Sequence, residues 1–308
     1  MKMSKKVSSN IVLFLAAIIW GFAFVAQVDG MNYIGPFTLI GVRFVIAIIA
    51  LLPVLFVFER KKLQQGELAR TFKAVLIVGL LLFAAVTVQQ FGIQITASAG
   101  VSGLISGLYT IFVPMAYFVF FRKKTGAQVW IGAVCAVIGL FLLCYDPQSG
   151  LHFGLGELLL LISSFMWTAH VMLIDHFVKT VRPLYLSWGQ FAVCAVLGII
   201  CMFIFEGDQL SVQSLIDARW CLFYCGVLSS AGAYTLQVVG QKNADPTSAA
   251  IILSTESAFG AIGGALFGID NIPLIGYVGC ALIFGGILFS QTNFKRKNSS
   301  VRDAKMAE

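Results

Sequence analysis

Residues 73–124 read KAVLIVGLLLFAAVTVQQFGIQITASAGVSGLISGLYTIFVPMAYFVFFRKK, and residues 220–271 read WCLFYCGVLSSAGAYTLQVVGQKNADPTSAAIILSTESAFGAIGGALFGIDN. Laid side by side at an offset of 147 residues, the two stretches pair Gly79 with Gly226, Gln90 with Gln237, Gln94 with Gln241, Ala97 with Ala244 and Phe112 with Phe259. The register holds outward without a gap. Trp20 meets Trp167, Pro36 meets Pro183, Phe44 meets Phe191, Gly132 meets Gly279 and Gly139 meets Gly286. The chain is therefore an internal duplication.

Each copy is apolar. The 308 residues are 59% hydrophobic and 11% charged, more apolar surface than a water-soluble fold of this size can hide. Apolar runs long enough to span a bilayer fall near 10–28, 36–58, 73–93, 97–121, 127–145, 154–174, 184–205, 219–240, 246–268 and 272–291. This predicts an all-α membrane protein of ten transmembrane helices, with a five-helix unit at 10–145, a second at 154–291 and a basic cytoplasmic tail at 292–308. The first run is too long for a signal-peptide core and lacks a small-x-small cleavage site, so it reads as a helix.

Lys and Arg set the orientation. With the N-terminus inside, 19 of the 21 basic residues fall on the cytoplasmic side, at Lys2 to Lys6, Arg60 to Lys73, Arg122 to Lys124, Lys179 and Arg182, Lys242 and the tail. Both termini are then cytoplasmic, in the inner (plasma) membrane of a cell. The net charge of +7 reflects this bias and implies no nucleic-acid partner. A unit with an odd number of crossings forces its copy to enter from the opposite side, giving an inverted repeat. Loop charges agree: basic 59–73 aligns with 206–220, where Glu206, Asp208 and Asp217 stand, and Arg122-Lys123-Lys124 aligns with Ile269-Asp270-Asn271. Inverted repeats are the architecture of many secondary transporters, with the substrate site near the midplane between the copies.

Polar groups at that depth are costly and mark candidate sites. Glu256 lies near the middle of the ninth run, where it can exchange a proton with a substrate or serve as a buried structural carboxyl. Arg43, eight residues inside the second run, can bind an anionic group, pair with Glu256, or snorkel to the interface. Gln90 and Gln237 occupy equivalent places and can face one another across a pseudo-twofold axis, holding a polar solute or joining helices. Trp20, Tyr109, Trp167 and Tyr234 can line an aromatic cavity, since both tryptophans are too deep for an interfacial belt. His170, one turn from Trp167, can titrate or simply be hydrogen bonded. Gly100, Gly103 and Gly107, and again Gly260, Gly264 and Gly268, mark close-packing seams, and Pro114 predicts a kink in the fourth helix.

Other chemistries are poorly supplied. The seven cysteines show no CxxC pair, and Cys221 and Cys225, on one helical face, read as packing rather than metal ligands. Three scattered histidines do not assemble an intramembrane active site, and no G-x-x-x-x-G-K loop is present for ATP. No cofactor is expected. A lipid-carrier flippase or a membrane sensor on the same scaffold stays open as an alternative, as does the choice between monomer and homodimer.

Several short stretches resemble the drug/metabolite transporter superfamily, in particular its EamA-type members. They are Ile19-Trp20-Gly21-Phe22-Ala23-Phe24, Val42-Arg43-Phe44, Ala97-Ser98-Ala99-Gly100, Ser106-Gly107-Leu108-Tyr109, Trp130-Ile131-Gly132, Pro246-Thr247-Ser248-Ala249-Ala250 and Leu253-Ser254-Thr255-Glu256, in that order along residues 10–292. The family often follows its ninth-span glutamate with proline, whereas Ser257 follows Glu256 here. The resemblance implies a central cavity lined by spans one, three, four, six, eight and nine. It also implies transport, often export, of small organic solutes such as amino acids; Glu256 itself makes protons a candidate coupling ion.

Overall fold

The computed structural model describes residues 5–59, 64–122, 126–143, 145–146, 150–151, 153–243, 252–253, 255–270 and 272–290. The basic residues at 60–62 and 123–124, most of the first half of the ninth run and the 292–308 tail lie outside them.

The described chain is helical. The first half runs α1 (Lys5–Gly30), α2 (Pro36–Phe58), α3 (Gln65–Thr96), α4 (Ala99–Gly107), α5 (Tyr109–Phe121) and α6 (Ala127–Leu143). A two-residue antiparallel bridge, Tyr145–Asp146 with Gly150–Leu151, lies between the halves. The second half runs α7 (Leu155–Phe177), α8 (Pro183–Phe205), α9 (Val212–Asp217), α10 (Arg219–Phe223), a π-helical stretch (Tyr224–Tyr234), α11 (Thr235–Asn243), α12 (Glu256–Leu266) and α13 (Leu274–Ser290). Pro36 and Pro183 each open their helix at its first turn, where the missing N–H costs nothing and φ is already helical.

Among the described residues, seven helical segments are long and apolar enough to cross a membrane. Two more, α6 and α13, are apolar over 17 residues each. At 1.5 Å per residue each is about 25 Å long, just short of a typical hydrocarbon core. Large apolar side chains cover the outside: Phe56 is 72% exposed, Phe120 77% and Leu274 84%. Water would not tolerate such a surface, and lipid does. The protein is a multi-pass membrane protein.

The interior carries the duplication as geometry. Phe44 and Phe191, equivalent at the 147-residue offset, stack on each other with ring centroids 5.6 Å apart. Two equivalent residues can touch only where a twofold relation brings the copies face to face. Close glycine contacts obey the same swap. A Cβ on Gly79 would lie 2.7 Å from the Cβ of Val193, and a Cβ on Gly226 would lie 2.7 Å from that of Ile46; 79 maps to 226 and 46 to 193. Likewise Gly132 abuts Gly286 and Gly139 abuts Gly279, so α6 and α13 cross backbone on backbone. Since the mates share one geometry, Gly79→Val and Gly226→Val are expected to destabilise the protein by similar amounts, about 1–3 kcal/mol each, from overpacking. Thermal midpoints of the two variants in detergent check this.

The fourth run is interrupted. Its helix breaks at Leu108, between α4 and α5, and Pro114 lies inside α5. Proline cannot donate to the carbonyl four residues back, which loosens the preceding turn. The break settles beside Gly107, which packs against Ser257, and the Thr110 hydroxyl donates to the Gly107 carbonyl at 2.8 Å. The two glycine seams do meet: a Cβ on Gly103 would lie 3.6 Å from the Gly260 Cα. Cys221 and Cys225 are buried in an apolar cluster, and the described residues hold no metal-binding group of His, Cys, Asp and Glu.

Candidate functional site

A cleft lies between the halves, with about 560 Å³ of open space when its mouth is counted. Its walls come from α1 (Trp20, Ala23, Phe24, Gln27), α2 (Arg43), α3 (Gln89), the α4–α5 break (Ser106, Tyr109), α7 (Trp167, Val171), the π-helical stretch (Ser229, Tyr234), α11 (Gln237) and α12 (Glu256). Seven of the nine residues singled out from sequence therefore share one space.

Charge is divided within it. The Arg43 guanidinium is 4% exposed, donates through Nη1 to Gln27 Oε1 at 3.1 Å and lies 4.9 Å from the Phe44 ring centroid. Its Nε has no partner among the described residues. Gln27 is oriented in turn by its own amide, which donates to the Ala23 carbonyl at 3.0 Å. Glu256, 6% exposed, shares the cavity wall with Tyr109 and lies within electrostatic reach of its hydroxyl. The ion pairs among the described residues do not join Arg43 to Glu256. Tyr234 lies within electrostatic reach of both. Tyr109 and Glu256 are themselves mates at the 147-residue offset, so their approach, like the Phe44–Phe191 stack, brings equivalent points of the two copies together.

Aromatic rings form one side. Trp20 meets Tyr234 edge-on at 4.9 Å, and Trp167 lies over Tyr234 at 6.1 Å. The indole of Trp20 donates to the Ser229 carbonyl at 3.3 Å, an acceptor set within the widened turns of the π-helical stretch. Trp167 Nε1 and Gln237 Oε1 are buried with no partner among the described residues. The cavity thus offers a cation and an indole donor, a carboxyl and an amide acceptor, and an aromatic face.

His170 and Gln90 stand outside it. His170 is 1% exposed, bonds through Nε2 to Gln190 Oε1 at 3.0 Å, and meets the Trp167 ring edge-on at 5.4 Å. Gln90 is fully buried with neither amide atom partnered among the described residues, so no hydrogen bond joins it to Gln237. Its neighbour Gln89, passed over in the sequence, points into the cavity and donates to Ser106 Oγ at 2.9 Å. Adjacent residues on a helix are about 100° apart, so the two glutamines cannot share a face.

A cavity walled by both copies of a duplicated helical unit fits a solute path. The sequence model of the EamA-like transporter family matches residues 7–145 and again 154–292. The chain belongs to the EamA-like transporter family. This EamA-like chain is 23% identical to a protein of Archaeoglobus fulgidus named an uncharacterized transporter, over 92% of this chain and 86% of that one. It is 26% identical to a probable amino-acid metabolite efflux pump of Escherichia coli, over 70% of this chain and 69% of the relative. A crystal structure 18% identical in sequence superposes with a TM-score of 0.67, covering 92% of this chain and 98% of that one. That likeness speaks to the fold alone. By kinship this EamA-like protein is a transporter.

Proposed function

We propose that this protein is a secondary-active exporter of a small zwitterionic, amino-acid-like metabolite, working by alternating access and coupled to protons. The observation that carries the reading is the cavity's division of charge, with Arg43 and Gln27 at one pole and Glu256 with Tyr109 at the other. A carboxylate of the solute docks on the guanidinium, where a charge-assisted bond in a low-dielectric setting is strong. Its ammonium faces Glu256. Its side chain lies along Trp20, Tyr234 and Trp167, with Gln237 closing the polar wall. Glu256 exchanges a proton for the solute's positive charge, because an unpaired carboxylate at that depth is costly. His170 and Gln90 serve as supports behind the wall.

In the same reading, ten helices cross the inner membrane as two inverted repeats, 10–145 and 154–291, with both termini and the 292–308 tail in the cytoplasm. The charge bias of the loops supports this orientation. The twofold swap of contacts supports two states of similar energy, since exchanging the conformations of the copies turns the cavity to the other side. The chain works with the bilayer and a small solute as its partners. The test is solute accumulation in proteoliposomes across a panel of amino acids, amines and carboxylic acids, with and without a pH gradient. Zwitterions that accumulate with the gradient support the proposal; accumulation confined to simple amines or acids would count against it.

A further inference from the structure

The two deep tryptophans are mates at the 147-residue offset, yet their indole N–H groups meet different surroundings. In the first copy Trp20 Nε1 donates to the Ser229 carbonyl at 3.3 Å. Ser229 lies in the π-helical stretch, where the ladder is widened and a carbonyl can tilt toward a side chain. The mate of Ser229 is Leu82, well inside α3. That helix is unbroken from Gln65 to Thr96, so the Leu82 carbonyl stays in the four-residue ladder and offers Trp167 no equivalent acceptor. Trp167 Nε1 is buried with no partner among the described residues. A duplicated donor is tied in one copy and left over in the other.

An acceptor is left over on the same wall. Gln237 lines the cavity and is 3% exposed, and its Oε1 has no partner among the described residues. Gln237 stands about one helical turn from Tyr234, and Trp167 lies over the Tyr234 ring with centroids 6.1 Å apart. The spare donor and the spare acceptor therefore flank one aromatic ring. Both are covered from bulk water, and a buried polar group without a partner carries an uncompensated desolvation cost. A solute group that supplies an acceptor and a donor removes both costs, and an apolar group removes neither. This difference is what lets a site reject an analogue that lacks the polar group.

We propose that Trp167 Nε1–H and Gln237 Oε1 are the specificity pair of the cavity, selecting a neutral hydrogen-bonding group on the solute's side chain, a carboxamide or a hydroxyl. The assignment rests on the zwitterion reading above, in which Arg43 and Glu256 take the charged ends and leave this wall to the side chain. The indole donates to the solute oxygen, and the Gln237 oxygen accepts from the solute N–H or O–H. A carboxamide meets the pair with two atoms, a hydroxyl with one. Trp20, its N–H already committed, contributes only an aromatic face.

Half-saturation concentrations for flux in proteoliposomes of the full-length protein test this with shape-matched solutes. Glutamine against methionine isolates the carboxamide, and threonine against valine isolates the hydroxyl. In the parent protein the polar member of one pair is expected to saturate at a concentration about tenfold or more below its apolar match, and that pair names the group selected. Trp167→Phe keeps a ring over Tyr234 and removes the N–H, and Gln237→Met removes the acceptor at similar volume. Each is expected to bring the ratio within that pair to about one, through the loss of one partner. Trp20→Phe loses the bond to Ser229 and lowers the thermal midpoint, but the parent ratio persists. Equal half-saturation within both pairs in the parent, or a parent ratio that survives Trp167→Phe, overturns the assignment and leaves a zwitterion carrier standing. Flux of none of the four solutes in folded protein strikes the zwitterion reading itself, and the specificity pair with it.

Discussion

Glu256→Gln is expected to cut gradient-driven solute accumulation by about 100-fold and to leave the residual flux indifferent to pH. The glutamine keeps the volume and stays polar, so the fold should survive. What it loses is the charge that faces the solute ammonium and the group that releases a proton. Each charge-assisted bond contributes about 1.5–3 kcal/mol, and each 1.4 kcal/mol is a factor of ten. Glu256→Asp, one methylene shorter, should retain pH dependence at reduced rate. Initial rates of labelled-solute uptake between pH 5.5 and 8 check both variants. A Glu256→Gln protein with a parent-like pH profile would move the carboxyl to a structural role.

Arg43→Gln should separate binding from turnover. The guanidinium lines the cavity and donates to Gln27, a positive charge suited to receive a carboxylate. The substitution should raise the half-saturation concentration for zwitterions by about 10- to 100-fold through lost charge-assisted bonding. Amines that lack a carboxylate should be transported as before. Equal losses for amines and zwitterions would mean that Arg43 only holds α1 against α2. Arg43→Lys should rescue little, because a point charge cannot reproduce the planar fork that meets both Gln27 and a carboxylate.

Much of this architecture is legible in the sequence because the duplication survives as identities. The offset that aligns Trp20 with Trp167 also brings Phe44 onto Phe191 and gives Gly79 and Gly226 matching neighbours. Depth is legible too: Arg43, Tyr109 and Glu256 are conspicuous because polar groups inside long apolar runs are costly. What stays hidden is helical phase. A helix that is apolar all round has no polar stripe to orient it, so Gln89 and Gln90 read alike although only Gln89 enters the cavity. Gln27 sits near the end of its run and reads as a boundary residue until Arg43 is seen to hold it. The π-helical stretch that presents the Ser229 carbonyl has no sequence mark beyond small residues such as Gly226, Ser230 and Gly232. Glu206 reads as a loop charge that helps set topology. Only the folded chain brings it onto the start of a helix 168 residues away.

The most direct test of a carrier with one site facing each side in turn is counterflow in proteoliposomes. Vesicles are preloaded with millimolar unlabelled zwitterion and diluted into a trace of the labelled solute with no ion gradient. An alternating-access carrier should show a transient overshoot of label inside, abolished by Arg43→Gln at the same solute concentration. Label that enters at a rate indifferent to the preloaded solute, or does not enter at all in folded protein, would contradict the account.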